Sequence, residues 1–172
     1  MWRESDRRFL VLAAALAIIL GVLVSTFYVV FTTTRVSGPS MEPALYHGDR
    51  LLFTRSYDDP RRGDIVSATV PDEAGRPTGV IKRVVALPGD TVELVGDSAY
   101  VNGALSAGSP AGAGEGVRTP PLVVPEGSVY LLGDNRPVSY DSRILGPVSL
   151  RSVEGVAVAI IAPIHRFSIM DR

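Results

Sequence analysis

Gly79–Val80–Ile81–Lys82–Arg83–Val84–Val85–Ala86–Leu87–Pro88–Gly89–Asp90 is the stretch whose reading decides the fold. Its apolar, β-branched run predicts a strand, and Pro88–Gly89–Asp90 predicts the turn that ends it. Strand alternation puts Lys82 on one face with Val80 and Val84. An amine on an apolar face loses hydration, which disfavours its charged form. The alternative is a lysine whose stem follows a strand edge and whose amine reaches water. The strand alone leaves both readings open.

Similar runs flank this one: Arg50–Arg55, Asp64–Val70, Thr91–Val95, Ser128–Leu132 and Val153–Ala162, separated by Gly, Pro and Asp. Ala99–Tyr100–Val101–Asn102–Gly103 ends in an Asn-Gly hairpin signal. Residues 32–172 are therefore read as one mainly β domain, with a short helical turn after Ser40. From 103 to 121 the chain is rich in Gly, Ala, Ser and Pro, which bury too little apolar surface to offset their ordering entropy; a mobile surface loop is expected there.

N-terminal to the domain, Phe9–Phe31 is a run of 23 residues without a charge. As a helix it spans about 34 Å, enough for a hydrocarbon core of roughly 30 Å. The run exceeds a signal-peptide apolar region, and Thr32–Thr33–Thr34–Arg35 is no Ala-x-Ala cleavage site, so an uncleaved transmembrane helix is favoured. Arg3, Arg7 and Arg8 precede it and only Arg35 follows closely. The positive-inside rule then gives a single-pass protein of the cell membrane, with residues 1–8 cytoplasmic, 9–31 in the bilayer and 32–172 extracytoplasmic.

Composition narrows the chemistry. The 172 residues carry a net charge of −1, so no basic surface points to nucleic acid. The absence of cysteine excludes disulfides, a thiolate nucleophile and cysteine-ligated zinc. With His47 and His165 the only histidines, a histidine-based metal site has little to draw on; no metal and no cofactor are expected. Of 17 basic residues Lys82 is the only lysine. Arginine could replace a lysine where charge alone matters, but it cannot be deprotonated in a protein.

Ser40, within Ser37–Gly38–Pro39–Ser40–Met41–Glu42–Pro43–Ala44–Leu45, is a candidate nucleophile, and irregular backbone there could bring amides to a developing oxyanion. A turn serine is the competing reading. Lys82, if desolvated, suits a general base. His47, seven residues after Ser40, is the rival, but nothing in the sequence folds it back onto Ser40, and a surface histidine is expected. Asp141 and Arg143 would share a strand face and form an ion pair that holds the 133–146 segment. Ser139 and Ser142 are available to orient an active-site amine.

Taken together and in this order after a membrane helix, Gly38–Pro39–Ser40–Met41–Glu42–Pro43, Gly48–Asp49–Arg50–Leu51–Leu52, Ile81–Lys82–Arg83–Val84–Val85–Ala86–Leu87–Pro88–Gly89–Asp90 and Gly133–Asp134–Asn135–Arg136 with Ser139–Tyr140–Asp141–Ser142–Arg143 resemble type I signal peptidases. The resemblance runs from about residue 9 to 165. It implies a largely antiparallel, barrel-like β domain with Ser40 as nucleophile and Lys82 as general base. It also implies that Ser139 bonds the lysine amine, and that Asp141 and Arg143 support the site. Gly38 stands where some members carry a second oxyanion-hole hydroxyl, so that donor is absent, as in the Gram-positive type. Ala44 replaces the usual Thr. Val36, Met41, Leu45 and Ile81 would line pockets for small substrate residues, with the substrate added as a strand beside residues 34–38 and 79–81.

The implied partners are preprotein signal peptides, the lipid bilayer and the export machinery. Ser40 lies nine positions after Phe31, at most about 30 Å away, which keeps the nucleophile close to the membrane. Two alternatives stay open: a Ser-Lys protease dedicated to one pilus or conjugation substrate, and a non-catalytic membrane-tethered β domain that binds peptides.

Overall fold

The computed structural model describes residues 4–55, 59–106, 108–109 and 116–170. Helix α1, Glu4–Val30, contains a span, Arg7–Val30, long and apolar enough to cross a membrane and unburied throughout. The helix stops one residue short of the expected end because Phe31 already pairs with Thr54 as the first residue of a strand.

The strands that follow are β1 Phe31–Arg35, β2 Arg50–Thr54, β3 Ile65–Pro71, β4 Pro77–Ala86, β5 Thr91–Val95, β6 Ser98–Val101, β7 Ala104–Leu105, β8 Leu122–Val123 and β9 Ser128–Leu132. A one-turn helix α2, Ser142–Leu145, precedes β10 Val148–Ser149, β11 Val153–Ala162 and β12 Ser168–Ile169. All described pairings are antiparallel. The larger sheet runs β1-β2-β11-β3-β4-β9-β10, with β12 added to β11; the smaller runs β7-β6-β5-β8. The expected mainly β, antiparallel architecture is therefore present, as two sheets.

Strand β4, read first in the sequence, is where the packing meets. Val84 belongs to a core with Val66, Val129, Leu131 and Val156. Ile81 packs on a second core of Met41, Leu45, Leu51 and Phe53. Val85 and Ala86 enter a third with Val92, Ala99 and Leu132, joining the small sheet to the large one. Pairing on β4 is uneven. Strand β3 follows it from Pro77 to Arg83, whereas β9 meets it only at Arg83–Ala86. Among the described residues, no strand covers the other edge of residues 79–82, and none covers the outer edge of β1.

The Asn-Gly turn forms as read: Asn102 and Gly103 have φ of 52° and 83°, the left-handed pair that a two-residue hairpin needs. Of the expected loop at 103–121, Ala104–Leu105 is β7, and the Thr119 side chain accepts the Leu94 N–H at 2.9 Å. Residues 107 and 110–115, at the heart of that loop, lie outside the described residues.

Asp90 ties the turn after β4 together, accepting from Leu87 N–H (2.8 Å), Arg62 Nε (2.7 Å) and Asn102 Nδ2 (2.9 Å). Burial alone would raise its pKa; these hydrogen bonds, with the Arg62 charge, outweigh it and hold the carboxyl at about 2. A depressed carboxyl stabilises the fold above its unfolded pKa, about 3.9, and that contribution is lost as pH falls through about 2. Asp90→Asn is expected to cost roughly 1–2 kcal/mol at pH 7, allowing for screening at the half-exposed Arg62. Denaturant titration should show the gap to wild type shrinking between about pH 4 and 2; a gap independent of pH would contradict this.

Candidate active site

Ser40 sits on a loop closed at its neck by three hydrogen bonds. Val36 N–H donates to Asp49 O (2.8 Å), Gly48 N–H to Val36 O (2.9 Å), and Gly38 N–H to the His47 ring at Nδ1 (3.1 Å). Gly38 has φ of 84°, a conformation that favours glycine. After Ser40 comes the expected helical turn, with Leu45 N–H donating to Met41 O at 2.8 Å. Met41 and Leu45 anchor it in the second core.

Lys82 enters from β4 and is 5 % exposed. Its Nζ lies 2.9 Å from Ser40 Oγ, in hydrogen-bond contact. Burial pushes its pKa below the ordinary lysine value; Arg143 lowers it further, while Asp141 and Asp134 oppose the shift.

The 133–146 segment closes over this pair. Asn135 N–H donates to Ser40 O at 3.0 Å. Asp134 accepts both Nε (2.8 Å) and NH2 (2.6 Å) of Arg83, the neighbour of Lys82 on β4. Buried Arg136 donates to the carbonyls of Gly133, Asp97 and Gly108. Asp141 accepts the Gly133 N–H (3.0 Å) and the Arg143 guanidinium through Nε (2.9 Å) and NH2 (3.0 Å). Burial would raise the Asp141 pKa, but the bonds from Arg143 and Gly133 bring it below the ordinary value. The Asp141–Arg143 pair forms as read, but not on a strand: Asp141 caps α2 and accepts the Arg143 N–H.

Two serines behave differently from expectation. Ser142 Oγ accepts the Leu131 N–H at 2.9 Å and so serves β9 rather than an amine. Ser139 Oγ is buried beside Asp141 without hydrogen-bond geometry to any partner, so the expected bond to the Lys82 amine is not made here. Ser139 packs on Gly133, where an added Cβ would lie 2.5 Å from Ser40 O and 2.6 Å from Ser139 Cβ.

From the serine and lysine runs a groove of about 220 Å³, lined by Thr34–Ser37 on one side, Gly79–Lys82 on the other, and Ser67, Ala68 and Glu154. Val36, Met41 and Ile81 line it as expected. Leu45 does not: it is fully buried in the second core and borders a separate recess with Met170. His47 is exposed as read, yet its ring reaches back to accept the Gly38 amide, a contact that no local pattern predicts. Arg83, Asp134, Gly133, Arg136 and Glu154 also escaped the residue-level reading. Arg83 and Asp134 stood inside quoted motifs, but their pairing spans 51 positions and no spacing rule reveals it.

The sequence matches the family described as signal peptidase, peptidase S26, over residues 8–162. It is 33 % identical over 173 residues to signal peptidase I of Bacillus licheniformis, covering 92 % of this chain and 90 % of that protein. To signal peptidase I V of Bacillus subtilis strain 168 it is 34 % identical over 167 residues, covering 87 % and 96 %. A crystal structure of a signal peptidase I from Enterococcus faecalis V583 shares 35 % identity, with a TM-score of 0.44 over 59 % of this chain and 98 % of that one.

Adding a methyl at Gly133 meets the Ser139 side chain and also the Ser40 carbonyl at 2.5 Å, so backbone as well as a side chain must move. Gly133→Ala is expected to cost about 1–3 kcal/mol, as overpacking of a filled interior does. Denaturant unfolding checks this, and wild-type stability would contradict the tight contact.

Proposed function

The chain belongs to the signal peptidase family, peptidase S26, and on that footing we propose that it is a membrane-anchored serine endopeptidase that removes signal peptides from exported preproteins, cutting after small residues. The observation that carries the chemistry is the buried Lys82 amine 2.9 Å from Ser40 Oγ at the end of a groove between two uncovered strand edges.

An extended substrate adds as a strand between residues 34–37 and 79–82, bonding backbone that no described strand uses. Val36, Met41 and Ile81 leave room for small side chains beside Ser40. The neutral Lys82 amine takes the Ser40 proton as Oγ attacks the scissile carbonyl. The Ser40 N–H stabilises the oxyanion; Gly38 supplies no hydroxyl. Collapse of the intermediate breaks the C–N bond, and the Lys82 ammonium returns its proton to the leaving amine. Lys82 then deprotonates a water that hydrolyses the acyl-enzyme, releasing Ser40. Asp141, Arg143 and Ser139 support the amine through the 133–146 segment.

Helix α1 anchors the enzyme, with its N-terminal arginines on the cytoplasmic side and the β domain outside. The domain then meets precursors whose own apolar segments are still in the bilayer, alongside the export machinery. A processor dedicated to one substrate, or a domain that only binds peptides, accounts less well for the Ser40–Lys82 pair together with the family match.

Cleavage of an exported precursor in lipid tests this. Ser40→Ala is expected to abolish cleavage, and Lys82→Ala and Lys82→Arg each to lose about 10²–10⁴-fold or more. Activity in Lys82→Arg would refute a proton-accepting role. Because the amine must be neutral, cleavage should rise with pH through the lowered pKa of Lys82. Arg143→Gln removes a charge that lowers this pKa and exposes Lys82 to an unpaired Asp141, so the rising limb should move to higher pH. A shift to lower pH would contradict the electrostatic account.

A further inference from the structure

We propose that His47 is a positioning residue of the nucleophile loop: its neutral imidazole accepts the Gly38 amide and fixes the direction of the chain into Ser40. The inference rests on the Ser40–Lys82 reading above for its effect on catalysis, but not for the contact itself.

Of the three neck bonds, the one between Gly38 and His47 lies nearest the nucleophile. The other two fix Val36, four residues before Ser40. Between Gly38 and Ser40 stands Pro39, whose ring fixes its own φ and which has no N–H to tether. The torsions of Gly38 therefore set the direction in which the chain enters Ser40, whose far side is held by the Glu42 N–H on Pro39 O and the Asn135 N–H on Ser40 O, each at 3.0 Å. Glycine is the residue with the widest choice of torsions, and among the described residues nothing beyond its chain neighbours lies within 4 Å of where its Cβ would be. The His47 ring supplies the restraint that side-chain packing does not.

The far side of the loop is held independently. Asp49 accepts the Tyr46 N–H (2.9 Å) and Arg166 Nε (3.0 Å), and the Arg166 guanidinium stacks 4.4 Å above the Tyr46 ring. Loss of the imidazole contact should thus loosen Gly38 without unfolding the neck. Since the groove is lined by other residues of the loop, kcat should respond more than KM.

This contact depends on protonation. Nδ1 accepts only in the neutral ring with its proton on Nε2; the imidazolium has two donors and no acceptor, and would face the Gly38 N–H with a second N–H. The charged and titratable groups that line the recess with the ring are Arg35, Tyr46, Asp49, Arg50, His165 and Arg166. Asp49 is already engaged by Arg166, so among the described residues no free carboxylate in this recess stands ready to draw a protonated His47 to a new position.

The full-length protein in lipid distinguishes the outcomes. His47→Ala is expected to lower kcat about three- to tenfold with KM nearly unchanged, the scale of one net hydrogen bond. His47→Asn places a non-titrating acceptor one bond from Cγ, as Nδ1 is, and should recover most of that loss. The ratio of His47→Asn to wild-type kcat/KM should rise as pH is lowered, whereas His165→Gln should follow wild type. Full activity in His47→Ala, failure of His47→Asn to rescue, or a ratio flat with pH would each overturn the proposal. The Gly38 amide resonance reads the contact without any substrate. It should move with pH in wild type and in Ser40→Ala, and stay still in His47→Asn. An amide that ignores pH overturns the inference, while a titrating amide in a protein that cleaves no precursor would instead count against the proposed function.

Discussion

A lysine amine kept out of water, 2.9 Å from a serine hydroxyl, is the interaction around which the domain is arranged. Burial disfavours the ammonium, but two carboxylates, Asp141 and Asp134, lie close enough to pull the proton back. Each is engaged by an arginine: Asp141 by Arg143 and Asp134 by Arg83. The arginines thus do more than brace a segment. They offset negative charge beside an amine whose usefulness depends on losing its proton, and they remain charged where a lysine in their place could titrate. The concentration of positive charge in arginine leaves Lys82 as the one side chain among the 17 Lys and Arg that can give up its proton.

Three distant parts of the chain must meet for that environment to exist. The Ser40 loop leaves β1, which follows the apolar helix α1, Lys82 sits in β4, and the 133–146 segment follows β9. Strand β4 feeds all three apolar cores, so its register is over-determined and Lys82 cannot slip to the other face. The 133–146 segment is then pinned to both partners, by Asn135 to the Ser40 carbonyl and by Asp134 to Arg83. Gly133 sets how closely it approaches. Among the described residues the same strand arrangement leaves two edges uncovered, so a peptide added there, as proposed, would complete the sheet beside Ser40 and Lys82.

Much of this was legible in the sequence, for identifiable reasons. Thr91–Val95, Ser128–Leu132 and Val153–Ala162 have the bounds read from β-branched runs and their punctuation. The turn at Asn102–Gly103 follows from the only torsions such a hairpin allows. Lys82 on an apolar face was a consequence of alternation. What stayed hidden depends on distant partners. Leu45 reads as a pocket residue, but the helical turn after Ser40 carries it into the core. Asp141–Arg143 reads as a strand pair, yet the buried Asp141 instead caps a one-turn helix and receives Gly133. His47 meets Gly38 only because 36–38 and 47–49 zip together at the loop neck.

The central claim, that Lys82 is poised to be neutral, can be measured directly because the chain has a single lysine. Full-length protein in lipid, labelled with 13C at the lysine ε-carbon, gives one resonance to follow through a pH titration. The account requires its midpoint to lie clearly below the ordinary lysine value of about 10.4. A midpoint at or above that value would mean an amine that stays charged beside Ser40, and it would contradict the account.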